Sequence, residues 1–129
     1  MGKVNIRNKA LAWFKSRYPL IDEAIFTSKF YSPQESWSNS RVWFFQIPQD
    51  IINPNKFKYL HLICENHLKG EPYLYLKVPT LFILRNEKQF VVDMKERIIR
   101  LYFSAEAVDM FKEVRKGSNI DFSSFLQNE

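Results

Sequence analysis

The hydrophobic positions of this chain change their period along its length, and the changes mark out its elements. From 4 to 18 they recur at helical spacing: Val4, Leu11, Phe14 and Tyr18 fall seven, three and four residues apart and share one face. Ala10 and Ala12 favour a helix, and Pro19 ends it, because the residue before a proline is pushed out of the α region. Trp13 lies off that stripe with Lys9 and Arg17 four residues to either side, so a ring sits between two cations. Arg7 projects near the stripe, where it pairs internally or faces a ligand.

Beyond residue 24 the period falls towards two. Residues 24–31 predict a strand, and 32–40 a Ser/Asn/Pro-rich loop with Trp37 in its middle. The apolar run from Arg41 to Ile47, closed by Pro48, predicts a second strand. Residues 58–64 alternate cleanly, with Tyr59, His61 and Ile63 on one face and Leu60, Leu62 and Cys64 on the other. Residues 73–78 alternate again, and Thr80 is placed to cap a short helix over 81–86. Segments 89–95 and 97–103 follow, and Ile98, Ile99, Leu101, Tyr102 and Phe103 predict a last strand in the second of them. Ser104, Glu106 and Ala107 then open a helix of about ten residues that Arg115, Lys116 and Gly117 would close, and Asp121 caps a last turn.

These elements predict a single α+β domain over residues 1–129. It has a basic helix at 4–18, a mostly antiparallel sheet of four or five strands at about 24–103, and a C-terminal helical part at 104–126, the helices packing on the sheet. A length of 129 residues suits one domain by the usual allowance of roughly 100–200 residues. The aromatic content, 12 Phe, 6 Tyr and 3 Trp, excludes a disordered chain. No apolar run is long enough to span a membrane and no signal peptide opens the chain, so the expected setting is cytoplasmic.

Charge changes the picture more than composition does. The formal excess of +5 lies in the first half, where residues 1–64 carry 9 Lys/Arg against 4 Asp/Glu, while residues 65–129 carry 10 of each. Residues 1–17 hold Lys3, Arg7, Lys9, Lys15 and Arg17 and no acid. Such a field attracts nucleic acid, an anionic membrane surface or an acidic partner, nucleic acid above all, or it serves as a solubilising face.

Candidate chemistry is narrow. One cysteine, Cys64, and two histidines, His61 and His67, make no zinc spacing, and no GxSxG elbow, phosphate loop or dinucleotide fingerprint occurs. His61 reads as a packed strand residue and Cys64 as a small buried hydrophobe. Among the acids, Asp93 and Lys95 have the D-x-K spacing of Mg²⁺-dependent nucleases, for which Glu65 or Glu71 would supply an upstream carboxylate. The counter-expectation is that Asp93 is solvent-exposed, with no acid converging on it.

The succession Thr27-Ser28-Lys29, Val42-Trp43-Phe44-Phe45-Gln46-Ile47-Pro48, Tyr59 to Cys64, and Tyr75-Leu76-Lys77-Val78-Pro79-Thr80 resembles in outline the restriction-endonuclease-like domains of the PD-(D/E)XK superfamily. The resemblance covers roughly residues 24–86 and implies an acid-x-Lys strand at 27–29. Thr27 stands where the metal-binding acid would be, so the implied catalytic motif is degenerate and Lys29 is left as a phosphate contact or a surface charge.

The expected function is that of a non-enzymatic binding module that requires no cofactor or metal. Lys3, Lys9, Lys15 and Arg17 would position phosphates, joined by Lys29, while Trp13 and the loop residue Trp37 would stack on bases. The alternatives are a Mg²⁺-dependent nuclease and a protein–protein module, including a homodimer through the Trp43-Phe44-Phe45 strand or an edge of the sheet.

Overall fold

The computed structural model describes residues 2–18, 24–32, 34, 40–67, 70–114 and 120–128, with side chains in the first helix described from Arg7 onward. The elements run α1 (Gly2–Arg17), β1 (Ile25–Ser28), β2 (Val42–Pro48), β3 (Tyr59–Glu65), β4 (Tyr73–Pro79), α2 (Thr80–Arg85), β5 (Val91–Asp93) and β6 (Ile98–Ser104), with single 3-10 turns at Gln49–Ile51, Glu87–Gln89 and Ser123–Phe125. No described helix is long and apolar enough to cross a membrane.

The described strands form two three-stranded sheets, β1-β3-β4 and β2-β6-β5, instead of the single sheet of four or five strands that the alternation predicts. Three of the pairings are antiparallel, while β1 and β3 run parallel, joined by a crossover long enough to contain β2. The split has a physical reason. The odd positions of β2, Trp43, Phe45 and Ile47, and the even positions of β3, Leu60, Leu62 and Cys64, are both fully apolar faces that need cover. With one long helix available among the described residues, the sheets cover each other. The main core lies between them and includes Ile99, Leu101 and Phe103 of β6 and Leu74, Leu76 and Val78 of β4.

A second, smaller core lies on the other face of the first sheet. Ala10 and Phe14 of α1 close on Ile25, Ile63 and Tyr75, with Leu11, Trp13, Tyr18 and Tyr73 packed around them. α1 therefore covers the outer face of β1-β3-β4, and the two sheets meet at an edge where Tyr31 bridges Val42, so that α1 borders the outward face of β2. The outward face of β2-β6-β5 carries the even positions of β2 and β6, Phe44, Gln46, Ile98, Arg100 and Tyr102, none of which is fully buried.

The C-terminal helix predicted from Ser104 does not form among the described residues. β6 ends at Ser104, residues 107–111 turn, and bridges from Phe103 to Glu113 and from Lys112 to Asp121 fold the chain back instead. Local chemistry helps: the Ser104 hydroxyl accepts the Glu106 N–H and donates to the Asp109 carboxylate, which competes with helical hydrogen bonding. Tertiary burial decides it. Phe111 sits at φ 68°, a left-handed conformation that interrupts a helix, and from there stacks on Trp43 at 5.1 Å. Gly117 and its neighbours 115–119 lie outside the described residues.

Two predicted caps also differ in detail. Thr80 is the first residue of α2, and its hydroxyl donates to the Phe57 carbonyl at 2.6 Å, while Pro79 stands at the cap. Asp121 accepts the Ser123 N–H at 2.8 Å and so opens the last 3-10 turn. The segment beyond it covers the β4 edge: Gln127 N–H donates to the Tyr75 carbonyl, and the Asn128 side chain bonds both Tyr75 N–H and the Tyr73 carbonyl. That edge is thereby closed to further pairing.

Candidate functional site

The helix residues expected to meet a ligand divide into two groups. Trp13 packs on Tyr73 at 5.4 Å and on Tyr18 at 6.4 Å, with the Arg17 guanidinium 5.4 Å from its ring. Arg17 is also paired with Glu71. Trp13 and Arg17 therefore secure α1 on its own sheet, and their partners are internal. Lys9 and Lys15 are exposed on α1. Lys3 falls within α1, but its side chain and the whole of Trp37 lie outside what is described.

The acids are not brought together as a shared site requires. Asp93 ends β5 and accepts the N–H groups of Lys95 and Glu96 at 3.1 and 3.0 Å, while its other oxygen takes the Arg100 guanidinium at 3.0 Å. The Glu96 N–H, and then Arg100, hold its carboxyl below the usual aspartate range. The Asp93 side chain is 26% exposed, so it is partly covered by Arg100 and not the freely solvated group expected. Its role is to close the β5–β6 turn, on which Lys95 is exposed. Glu65 belongs to β3 in the other sheet and accepts the Phe30 N–H at 2.8 Å. Glu71 is taken by Arg17. Among the described residues no three His, Cys, Asp or Glu side chains gather to hold a metal.

The remaining titratable groups are structural in setting. His61, 4% exposed, shares a 2.7 Å hydrogen bond between its Nδ1 and the Tyr75 hydroxyl beneath Phe14. Burial pushes the Tyr75 hydroxyl well up and the Cys64 thiol up as well, so both stay protonated. His67 stacks on Phe30 at 4.1 Å, and burial first, then Arg41, lower its pKa from the ordinary histidine value.

What does assemble is a groove at the corner where the two sheets meet. Tyr31 and Val42 exchange both backbone hydrogen bonds, at 3.0 and 3.2 Å, and the Ser28 hydroxyl accepts the Phe44 N–H at 2.9 Å. Beyond that point β1 and β2 are not hydrogen-bonded to each other, and a groove of about 280 Å³ lies between them. Arg7, Phe26, Thr27, Tyr31, Phe44 and Gln46 line it. Arg7 donates to the Thr27 hydroxyl at 3.4 Å, and the Lys29 ammonium lies 4.9 Å from the Tyr31 ring.

Strand parity makes the groove polar on one wall. Because Val42 bonds Tyr31 and Phe44 bonds Ser28, the even positions of β2 turn their main-chain groups away from β6. Gln46 therefore points its N–H and C=O into the groove. The same parity makes Phe44 and Tyr102 a non-hydrogen-bonded cross-strand pair, in which side chains approach most closely. Their rings stack at 4.6 Å and 25° on the outward face, next to the Gln46–Arg100 pair.

Phe44, Gln46, Tyr102, Tyr31 and Arg7 thus form a constellation that the reading of the sequence did not bring out as a site. Position 46 was the available signal. A polar glutamine followed two residues later by Pro48 marks an outward, edge-facing parity inside what otherwise reads as a continuous apolar run. A comparison of the chain with family models, with curated proteins and with solved structures finds no match in any of the three.

Proposed function

We propose that this chain is a binding module for single-stranded nucleic acid, and that the strand lies across the outward face of β2-β6-β5 and the adjoining groove. The observation that carries this reading is the Phe44–Tyr102 stack beside Arg7, Tyr31 and Lys29. Single-stranded nucleic acid is bound by aromatic faces on which bases stack and by cations that follow the backbone. Both are present on one surface, and Lys9 and Lys15 add exposed positive charge on α1. A duplex buries its base faces and leaves such rings without a partner, so the rings favour a single strand.

The other readings have less to rest on. A homodimer through Trp43-Phe44-Phe45 has Phe44 alone to offer, because Trp43 and Phe45 are inside the core. The nuclease reading remains without a metal-holding group among the described residues.

The test is an anisotropy titration of labelled single- and double-stranded oligonucleotides at two salt concentrations. Single strands are expected to bind in the micromolar range at the lower salt and to weaken steeply at the higher, since each neutralised phosphate releases counterions. Absence of single-strand binding at the lower salt would sink the proposal.

A further inference from the structure

We infer that the groove between β1 and β2 is a pocket for a single nucleobase, whose Watson–Crick edge is held by the main-chain N–H and C=O of Gln46 while Arg7 takes the adjoining phosphate. The inference rests on the single-strand reading and adds where one base goes.

An unpaired strand edge ordinarily invites another strand, so a peptide has to be weighed first. A peptide adding to β2 needs a run of alternate residues with free N–H and C=O groups. β2 does not have one. The Val42 groups are used by Tyr31, the Phe44 N–H by Ser28, and Pro48 has no N–H. Gln46 is left with the one complete donor–acceptor pair on that edge. Thr27 stands on the opposite wall, but the two strands converge at Ser28–Phe44 and close the groove there, so an added strand has no room to run on.

One flat ligand with a donor beside an acceptor is what a single such pair fits. Every nucleobase has that edge. Adenine and cytosine place a ring-nitrogen acceptor beside an amine donor, and guanine and uracil place a carbonyl acceptor beside a ring N–H. The base meets the pair in either orientation, so the pocket accepts all four bases. The walls suit it as well: Phe26, Tyr31 and Phe44 are apolar and flat, and Arg7, held towards the groove by Thr27, is the cation nearest a phosphate there.

The experiment is an amide NMR titration of the labelled protein with the four nucleoside monophosphates and, separately, with inorganic phosphate. The Gln46 amide is expected to shift saturably with each nucleotide and not with phosphate. Gln46→Ala keeps the main-chain pair and should keep the response. Gln46→Pro removes the N–H at a position whose neighbour on the same edge, Pro48, is already proline, and should lower oligonucleotide affinity about tenfold or more relative to Gln46→Ala.

If oligonucleotides bind but the Gln46 amide does not move, the pocket falls and the single-strand reading stands. Equal shifts with phosphate alone, or equal affinity of the two variants, likewise overturn the pocket. If no oligonucleotide binds, the single-strand reading itself falls. Should Gln46→Pro fail to fold, the wild-type titration decides alone.

Discussion

Two clusters of aromatic rings and cations lie on different layers of this molecule, and they use the same residue types to different ends. Under α1, Trp13, Phe14, Tyr18, Tyr73 and Tyr75 pack together, Arg17 covers Trp13, and Glu71 neutralises Arg17. On the outward face of β2-β6-β5, Phe44 and Tyr102 stack beside Arg7 and Tyr31, and no long helix among the described residues lies over them. The first cluster packs α1 on its sheet, and the second is where the proposed single strand would lie. A ring beside a cation says nothing about function until the element covering it is known.

The largest expected effect lies under the helix. Phe14 is fully buried and meets Tyr75 at 4.7 Å, so Phe14→Ala leaves a cavity. The expected loss is about 3–5 kcal/mol, or roughly 10–20 °C in Tm, read by thermal melting. Where the variant remains folded, its oligonucleotide affinity should stay near wild type. A large loss of affinity there would erase the distinction between the clusters.

Phe44→Ala is the converse. Because Phe44 is only half-buried, Tm should fall by a few degrees, while single-strand affinity drops about 5- to 100-fold with the lost stacking. Unchanged affinity in an anisotropy titration would remove the outward face from the binding surface.

The two arginines sharpen the contrast. Arg7→Ala should lower the slope of log affinity against log salt by about one, as for a lost phosphate contact. Arg17→Ala should leave the slope alone and act through its packing on Trp13 and its pair with Glu71. A slope that responds to Arg17 and not to Arg7 would exchange the roles of the two clusters.

The smallest effect concerns the seam between the sheets, where His67 lies between Phe30 and Trp43. Burial, with Arg41, lowers its pKa in the fold, so the unfolded chain binds more protons between that value and the ordinary ~6.5. The stability His67 contributes is therefore present above about pH 6.5 and is lost as pH falls through that value toward its lower folded pKa. Melting from pH 7.5 down to 5.5 should show a modest fall in Tm that His67→Phe flattens. An unchanged slope in the variant would assign the fall to another group.

Much of the fold was legible because local rules bear on it directly. The helical spacing of Leu11, Phe14 and Tyr18 places a face that does pack on a sheet, and the alternation in 58–64 assigns Leu60, Leu62 and Cys64 to one side and His61 and Ile63 to the other, as they are found. Long-range partners were not legible. Two sheets replace one because the apolar faces of β2 and β3 need each other, and the helix after Ser104 gives way because Phe111 gains more from Trp43 than from helical geometry. Both depend on residues distant in sequence.

The candidate site divides in the same way. By itself the sequence determined that this chain has a core, a basic N-terminal helix and more aromatic rings than an ordinary surface requires, since composition and periodicity are properties of neighbours along the chain. It also singled out Trp13 and Arg17, which a nearby Tyr73 and Glu71 then claim. Only the tertiary structure decided that Phe44 and Tyr102 meet across β2 and β6, that Gln46 turns its main chain into a groove, and that Arg7 reaches β1. For Phe44, Tyr102 and Gln46 the reason is strand register: a shift of one residue would send those side chains and main-chain groups to the opposite side, and the register is set by pairing residues more than fifty apart, while Arg7 reaches Thr27 only because α1 packs on β1.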